Sequence, residues 1–240
     1  MLYSAICSRA RVLREAYTRI VEPVMGHSRG MELLSAMEAA RFHQDPWRVC
    51  TLLSRLASEF RDARACVLGP LARRAPKTCE TIVSLEGLEN AEPGLASLSS
   101  VVVGDLDSGD PYTLAELCSN RVCLLHVHGD NLEKYRDFSR MLRGNYISTS
   151  QAYCVWPVLG IGGYTDGDRA VLAPALFGAR RIEVYGFDFS KPCWRHKAHG
   201  TGDPRVKALK LRLARAIIEL GARRLGYSIT WRDGVLVLSR

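Results

Sequence analysis

The chain has 240 residues, of which 47% are apolar and 24% charged, and its formal net charge is +8. These values predict a soluble globular protein with one sizeable domain, since domains commonly have about 100–200 residues. No apolar run reaches the ~18 residues of a membrane span, and the N-terminal apolar segment is too short for a secretory signal. We therefore expect a cytoplasmic protein with no membrane partner.

The 33 basic residues are scattered along the chain, and no nucleic-acid-binding motif accompanies them, so no nucleic-acid partner is expected. The charge leaves two interpretations open, a solvated surface and attraction of a polyphosphate substrate. The eight cysteines include no C-x-x-C pair, which argues against zinc ribbons and favours small buried side chains. Disulfides are expected only if the source is a hyperthermophile.

Residues 1–63 are predicted to form an N-terminal helical segment that has no chemical signature. Apolar residues recur at helical spacing over 9–21 and 30–42, and Asp45-Pro46 begins a third helix. These helices could cover a face of a sheet or form the surface of a homodimer.

Residues 64–240 are predicted to form an α/β domain with a mostly parallel sheet and helices on both faces. Short apolar runs alternate with helical stretches, as expected for parallel strands that are covered on both sides. The predicted strands are 65–68, 81–85, 100–103, 121–127, 146–149 and 181–185, and the predicted helices are 113–118, 131–143 and 166–177. A long basic helix from Asp203-Pro204 and a hairpin with an Arg232-Asp233-Gly234 turn complete the chain.

Asp105 and Asp107 directly follow the run Val101–Val103, next to Gly104. Ligands of open α/β sheets bind beyond the carboxyl ends of the strands. Two carboxylates at such an end could share a hard cation such as Mg²⁺, and Gly104 would allow close approach of the backbone. The alternative is a turn that caps the next helix.

The string His128-Gly129-Asp130-Asn131 follows another apolar run. Asp130 is either the cap of the next helix or a third carboxylate at the same edge of the sheet. Lys134, one turn further along, could contact a phosphate.

Gly162 and Gly163 precede Thr165, Asp166, Asp168 and Arg169 at the start of a predicted helix. Free backbone N–H groups and the helix dipole at such a place favour anions. Two aspartates beside a phosphate would repel it unless a cation intervenes, which favours a metal–nucleotide ligand. The alternative is a glycine turn with Thr165 and Asp166 as caps.

Two further groups of polar residues have weaker functional interpretations. Thr149 and Gln151 follow a short strand, where uncharged hydrogen-bonding groups would suit a heterocycle or a ribose. The basic segment 191–203 reads as a long surface loop. Its Cys193, His196 and His199 have zinc-like spacing, but anion contacts by its basic side chains are the preferred interpretation.

Taken together, these motifs resemble those of a known family. The strings are Gly-Asp-Leu-Asp-Ser, His-Gly-Asp-Asn, Thr-Ser-Gln, Gly-Gly-Tyr-Thr-Asp-Gly-Asp-Arg-Ala and Gly-Phe-Asp-Phe. From about 66 to about 225 the sequence is similar to the archaeal 6-hydroxymethyl-7,8-dihydropterin diphosphokinase family. That family is related in fold to the thiamine pyrophosphokinases, so a Rossmann-like catalytic domain of that type is expected.

The resemblance implies a reaction in which ATP transfers diphosphate to the hydroxymethyl group of a reduced pterin and AMP is released. ATP and the pterin would be the partners and Mg²⁺ the cofactor, in tetrahydromethanopterin or folate-type cofactor synthesis. Two departures from the family pattern affect its glycine-rich turns. Gly69-Pro70-Leu71-Ala72 stands where a Gly-x-Gly-Pro-Ser-like turn is expected, and Ser190 stands for a glycine after Gly-Phe-Asp-Phe, which leaves Asp188 in place.

On this basis Asp105, Asp107 and Asp130 are predicted to hold Mg²⁺, with Asp166 or Asp168 completing the site. The other residues are predicted to stabilise charge, to act as the base or to bind the substrates. Arg169 and Lys134 offset charge on the phosphates, and Asp130 is the base. Asp188, Gln151 and Thr149 contact the pterin, with Tyr164 stacked on it. The substrate-binding residues further include Gly104, His128, Gly129, Asn131, Gly162, Gly163 and Thr165.

Two alternatives to this function remain open. Thiamine diphosphokinase differs only in the acceptor. A nucleotide- or sugar-binding module without turnover belongs to a different class.

Overall fold

The computed structural model describes residues 1–240 except 27, 44, 143, 144 and 194–201. Its nine strands are β1 (Arg64–Leu68), β2 (Thr81–Leu85), β3 (Val101–Gly104), β4 (Val122–His126), β5 (Tyr146–Ser150), β6 (Leu159–Gly160), β7 (Arg181–Tyr185), β8 (Ser228–Arg232) and β9 (Val235–Ser239). They form one sheet in the order β6-β5-β4-β3-β2-β1-β7-β9-β8. The predicted α/β class, with a mostly parallel sheet and an N-terminal helical segment, is confirmed.

Strands β1 to β7 are parallel to one another, whereas β9 is antiparallel to both of its neighbours, β7 and β8. The hairpin turn was predicted from Asp233-Gly234, and both residues have positive φ there, 51° and 77°. That conformation fits the tight turns that join antiparallel strands. The two-residue strand β6 was not predicted, because so short a segment has no measurable alternation.

The helices are α1 (Leu2–Arg9), α2 (Arg11–Ile20), α3 (Glu22–Met25), α4 (Arg29–Phe42), α5 (Pro46–Phe60), α6 (Leu88–Ala91), α7 (Pro93–Ala96), α8 (Pro111–Cys118), α9 (Leu132–Met141), α10 (Asp166–Phe177) and α11 (Pro204–Arg224). The short helices α3, α6 and α7 and the first helix α1 were not predicted. Asp45 caps α5 as expected, since its side chain accepts a hydrogen bond from the Arg48 N–H.

Helices cover both faces of the sheet. One apolar core joins α1, α2, α5, α10 and α11 to strand residues such as Val67 and Val103. A second core, on the opposite face, joins α4, α8 and α9 to Val102 and Leu125. Neighbouring residues of β3 thus point to opposite cores, as the two-residue period of a strand requires. The N-terminal helices therefore contribute to the same cores as the sheet.

Disulfides link six of the eight cysteines. The pairs are Cys7–Cys154, Cys66–Cys79 and Cys118–Cys123. The expectation that the buried cysteines are mainly small apolar side chains is therefore wrong for these pairs. Spacing along the chain could not show it, because the pairing depends on which ends of helices and strands the fold brings together.

Among the described residues, no helix has both the length and the hydropathy of a membrane span. Two of the interpretations made for the basic loop concern residues outside the described part of the chain. They are the zinc-like spacing that includes His196 and His199, and the anion contacts of Arg195 and Lys197.

Candidate active site

Three carboxylates meet at the carboxyl edge of the parallel sheet. Glu86 follows β2, Asp105 follows β3, and Asp166 begins α10. One oxygen of each lies within 4.8 Å of the others. Two of these residues, Asp105 and Asp166, were predicted metal ligands. The structure thus brings together two sequence motifs that are about sixty residues apart in the chain.

Glu86 organises the loop that carries the first aspartate motif. Its side chain is buried and accepts hydrogen bonds from the backbone N–H groups of Leu106 at 2.6 Å, Ser108 at 2.9 Å and Gly109 at 2.8 Å. Gly104 leaves the space for this carboxylate, because a Cβ there would lie 2.2 Å from Glu86 Oε2. The absence of a side chain at Gly104 was predicted to allow close approach of the backbone, and in the structure the group that lies close to this backbone is the Glu86 carboxylate.

The pKa values of the three carboxyl groups are all raised. Burial and the neighbouring Asp105 raise the pKa of Glu86 to about 7. Burial raises the pKa of Asp166 to about 7 against the opposing effect of Arg169. Burial, Asp166 and Asp107 raise the pKa of Asp105 well above its usual value. Groups that resist ionisation together, in a cleft, are suited to share a cation.

Arg169 is the counter-charge within this cluster. Its guanidinium is 1% exposed, and its Nη2 lies 2.7 Å from Asp166 Oδ1 and 3.8 Å from Asp105 Oδ2. Nε and Nη1 of Arg169, and Oδ1 of Asp105, are buried without a hydrogen-bond partner among the described residues. Unsatisfied buried polar atoms on both sides indicate that this cluster can take up a polar ligand.

Asp168 is placed differently from Asp166. Its buried carboxylate accepts hydrogen bonds from the N–H groups of Tyr164 at 2.9 Å and Thr165 at 2.9 Å. Thr165 is the N-cap of α10, and its hydroxyl accepts from the Asp168 N–H, which completes a capping box. The capping alternative therefore describes Thr165 and Asp168. Of the two aspartates, Asp166 is the one that lies in the carboxylate cluster.

Gly162 and Gly163 were predicted to admit phosphates to backbone donors. Both have positive φ, 71° and 85°, and both are buried against protein atoms. A Cβ at Gly162 would lie 2.7 Å from the Leu13 carbonyl, and one at Gly163 would lie 2.5 Å from the Arg169 side chain. These glycines let the chain turn beside α2 and Arg169, and this packing explains their presence without a phosphate.

The His128–Asn131 motif fixes the ends of β3 and β4 relative to each other. The Asn131 amide donates to the backbone oxygens of Asp105 at 2.7 Å and His126 at 2.8 Å. The His128 N–H donates to Asn131 Oδ1 at 2.9 Å. Asn131 thus positions the first aspartate motif, and it leaves His128 and Asp130 at the surface of a cavity.

Two cavities adjoin the carboxylates. The first, about 120 Å³, is lined by Glu86, Asp105, Asp107, Thr165, Asp166 and Asp188, by the aromatic rings of Phe187 and Phe189, and by Lys191, Lys207 and Lys210. The second, about 360 Å³, is lined by residues that include Glu32, Asp105, His126, His128, Gly129, Asp130, Gln151 and Arg169. Asp105, Tyr164 and Lys210 line both cavities. The two cavities therefore meet at Asp105.

Seven predicted site residues line neither of these cavities, namely Gly104, Asn131, Lys134, Thr149, Gly162, Gly163 and Asp168. Lys134 is exposed on α9. Thr149 is buried, and its hydroxyl contacts Leu125 O and His126 Nδ1, each at 3.3 Å. Asp188 lines the first cavity, where its Oδ1 accepts from the N–H groups of Ser190 and Lys191. The hydrogen bonds from Ser190 lower the pKa of Asp188.

The cavity residues that the sequence-based predictions missed include Glu86, Glu32 and Lys210. For Glu86 a signal existed, since an acidic residue and a glycine directly follow the apolar run 81–85. Glu32 lies on α4 and Lys210 on α11. Neither has a local signal, because helix residues far apart in the chain reach the cavity only through the tertiary fold.

The fold and this site define a class: an α/β protein with a carboxylate cluster at the carboxyl edge of its parallel sheet and lysines across an adjoining cavity. Such an arrangement can hold a divalent cation together with a phosphorylated ligand.

Comparison with curated proteins gives three archaeal relatives named 6-hydroxymethyl-7,8-dihydropterin pyrophosphokinase. The one from Methanothermobacter thermautotrophicus is 34% identical over 145 residues, or 58% of this chain and 62% of the relative. The one from Pyrococcus furiosus is 33% identical over 149 residues, or 58% and 61% of the two chains. The one from Methanocaldococcus jannaschii is 32% identical over 99 residues, or 38% and 40%.

These matches confirm the family resemblance predicted from the motifs: the chain is related to the archaeal 6-hydroxymethyl-7,8-dihydropterin pyrophosphokinases. The matched region spans about six tenths of the length of the two most extensively matched relatives, 62% and 61%. No protein-family model matches the chain.

Proposed function

We propose that this protein transfers diphosphate from ATP to the hydroxymethyl group of 6-hydroxymethyl-7,8-dihydropterin. The hydroxymethyl oxygen forms a bond to the β-phosphorus of ATP, the bond between that phosphorus and the α,β-bridging oxygen breaks, and AMP leaves. The hydroxyl proton passes to a base of the protein or to solvent. The observation that carries this proposal is the Glu86–Asp105–Asp166 cluster beside a lysine-lined cavity, in a chain related to the pyrophosphokinases named above.

The first cavity suits the nucleotide. Glu86, Asp105 and Asp166 offer only carboxylate oxygens, which are the ligands that Mg²⁺ prefers. A bound Mg²⁺ would neutralise part of the negative charge on the phosphates. Lys207 and Lys210 of α11 line the same cavity, and ammonium groups there favour the polyphosphate electrostatically.

Arg169 would keep the cluster anionic and ordered. Its contacts with Asp166 and Asp105 hold both carboxylates at the place where the two cavities meet. Positioning and charge stabilisation dominate catalysis of phosphoryl transfer, because the loose transition state needs little proton chemistry. Arg169 acts here on the carboxylates and, through its unpartnered Nη1, on a ligand in the second cavity.

Asp130 is the proposed base of the reaction. It lines the second cavity together with His128 and lies on the 3-10 turn Gly129–Asn131 that follows β4. Burial, and then the charge of Arg169, lower the pKa of His128. This ring is therefore neutral at pH 7 and does not act as a cation towards the carboxylates or the phosphates. The cytoplasmic location, the homodimer and the absence of nucleic-acid and membrane partners stay predictions of the sequence.

The test is formation of AMP. The protein is incubated with ATP and Mg²⁺, once with 6-hydroxymethyl-7,8-dihydropterin, once with thiamine and once without an acceptor, and nucleotides are separated by chromatography. AMP that depends on the pterin, in equal amount to a pterin diphosphate, is the expected result. AMP that forms with thiamine and not with the pterin would identify thiamine as the acceptor. Thermal stabilisation by ATP without any AMP would indicate a binding module.

A further inference from the structure

The second cavity contains a set of buried polar groups that the diphosphate chemistry does not use. Glu32, from α4 of the N-terminal helical segment, is 8% exposed, and Gln151, after β5, is 4% exposed. We assign the Gln151 amide with its nitrogen towards Glu32, because in that orientation it donates to the two Glu32 carboxylate oxygens at 2.6 Å and 3.1 Å and to Tyr17 Oη at 2.9 Å. Burial raises the pKa of Glu32 to about 7, and further hydrogen-bond donors from a ligand would favour the ionised carboxylate.

His126 adds a second acceptor to this cavity. Its ring is 1% exposed, and its Nε2 has no hydrogen-bond partner among the described residues. The Thr149 hydroxyl donates its single proton to Leu125 O, so its contact with His126 Nδ1 requires a proton on that nitrogen. Burial, with the charge of Arg169, lowers the pKa of His126 well below its usual value. The ring is therefore neutral, and Nε2 accepts.

Arg169 supplies the complementary donors. It lines the same cavity, and its Nε and Nη1 are buried without partners among the described residues. The cavity thus presents a carboxylate and an imidazole acceptor together with guanidinium donors. A flat heterocycle with adjacent N–H and NH₂ donors and a carbonyl oxygen has the complementary pattern, and the amino-pyrimidinone edge of a pterin is such a group.

We propose that the second cavity binds the pterin by this edge, with the Glu32 carboxylate accepting from the ring N–H and the exocyclic amino group. This inference rests on the proposed function. Gln151 orients Glu32, and Arg169 donates to the carbonyl oxygen. The pterin and the nucleotide then both lie beside Asp105, because Asp105 lines both cavities. The N-terminal helical segment therefore carries the specificity for the acceptor.

The experiment compares two ligands that differ at one position. 6-Hydroxymethylpterin has an amino group at C2, and 6-hydroxymethyllumazine has a carbonyl there, which turns two donors into an acceptor facing Glu32. Binding is measured by ligand fluorescence with no nucleotide present. Wild-type protein is expected to prefer the pterin by roughly 100-fold or more, since a site built around a hydrogen bond rejects the analogue that lacks it. Equal affinity for the two ligands would overturn the proposal.

Glu32→Gln is the variant that assigns the preference to this residue. It should weaken pterin binding by roughly 100-fold and reduce the preference to less than about 10-fold, because the new amide can donate to the lumazine carbonyl. The KM for ATP should not change. Glu38→Gln, on the exposed side of the same helix, should behave as wild type. A Glu32→Gln protein with wild-type pterin affinity would contradict the proposal.

The result separates this inference from the proposed function. If wild-type protein forms AMP with the pterin but Glu32→Gln has an unchanged pterin KM, only the assignment of the cavity fails. If wild-type protein neither binds the pterin nor forms AMP with it, the proposed function fails, and this inference with it. If Glu32→Gln does not fold, the proposal is tested by the wild-type protein, whose preference for the pterin over the lumazine supports it and whose equal affinity for the two contradicts it.

Discussion

The side-chain amide of Asn131 donates one hydrogen bond to the backbone oxygen of Asp105, at 2.7 Å, and another to that of His126, at 2.8 Å. The amide thereby joins the end of β3 to the end of β4. One of these strands leads to the carboxylate cluster and the other to the second cavity. This buried side chain thus reinforces the pairing of β3 with β4 at the place where the proposed nucleotide and pterin sites adjoin.

Replacement of Asn131 by Ala should destabilise the protein and also impair catalysis. Two buried carbonyl groups lose their donor, at a cost of about 1–3 kcal/mol each. Thermal and denaturant unfolding measure the loss of stability. Asn120→Ala is the matched control, because the Asn120 side chain is exposed and donates to the neighbouring Ser119, its one hydrogen-bond partner in the described part of the chain. Equal stability of the two variants would show that the hydrogen bonds of Asn131 contribute nothing.

Gly104→Ala should disrupt the carboxylate cluster. The new methyl group would lie 2.2 Å from Glu86 Oε2 and 2.6 Å from Glu86 Cβ, so Glu86 or β3 must shift. Forced overpacking of this kind costs about 1–3 kcal/mol. We expect a lower melting temperature and weaker Mg²⁺ binding by calorimetry. For Gly94→Ala a wild-type melting temperature is expected, because apart from the local backbone no described residue has a heavy atom within 4 Å of the new Cβ.

Glu86→Gln should weaken Mg²⁺ binding and diphosphate transfer. Both Glu86 oxygens accept from backbone N–H groups, so an amide NH₂ at either place would face another donor. One negative charge is also lost from the cluster. Calorimetric titration with MgCl₂ should show at least about a tenfold loss of affinity, since charge-assisted hydrogen bonds are among the strong ones. Glu116→Gln, on the exposed surface of α8, is the control that should retain wild-type affinity.

Most of the sheet could be predicted from local pattern alone, and the reason is visible in the strands. Runs such as 101–103 and 122–125 are buried on both faces, so they stand out as continuous apolar segments between polar turns. The start of α10 was equally clear, because Thr165 and Asp168 form a capping box. The residues that determine these strands and this helix start are neighbours in the sequence, so a local pattern is enough to predict them.

The site could be predicted only in part, because its remaining residues depend on tertiary contacts. Asp105 and Asp166 were identifiable from glycine-flanked motifs at element ends, whereas Asp168 has the same spacing but is used as a cap. The glycines at 162 and 163 have the sequence of a phosphate-binding turn, and yet their space is taken by Leu13 and Arg169. Glu32 reaches the second cavity from a helix whose sequence shows no chemical signature.

The carboxylate of Glu183 on β7 should make stability depend on pH in the acid range. It accepts from Arg64 Nη2 at 2.8 Å, Arg181 Nε at 2.6 Å and Tyr185 Oη at 2.6 Å. Burial alone would raise the pKa of Glu183, but these hydrogen bonds outweigh it and lower the pKa to about 2. The folded pKa thus lies below the unfolded value of about 4.3, so the ionised form stabilises the native state.

The stabilisation by Glu183 is complete above the unfolded pKa and is lost as the pH falls through the folded pKa. Glu183→Gln should therefore unfold more easily than wild type at pH 6, by about 2 kcal/mol, and the difference should shrink as the pH approaches 2. Urea unfolding of both proteins at several pH values between 6 and 2 measures this. Glu133→Gln, at an exposed position of α9, should show no such convergence. A difference between Glu183→Gln and wild type that stays constant over this range would mean that the ion pairs do not set the pKa of Glu183.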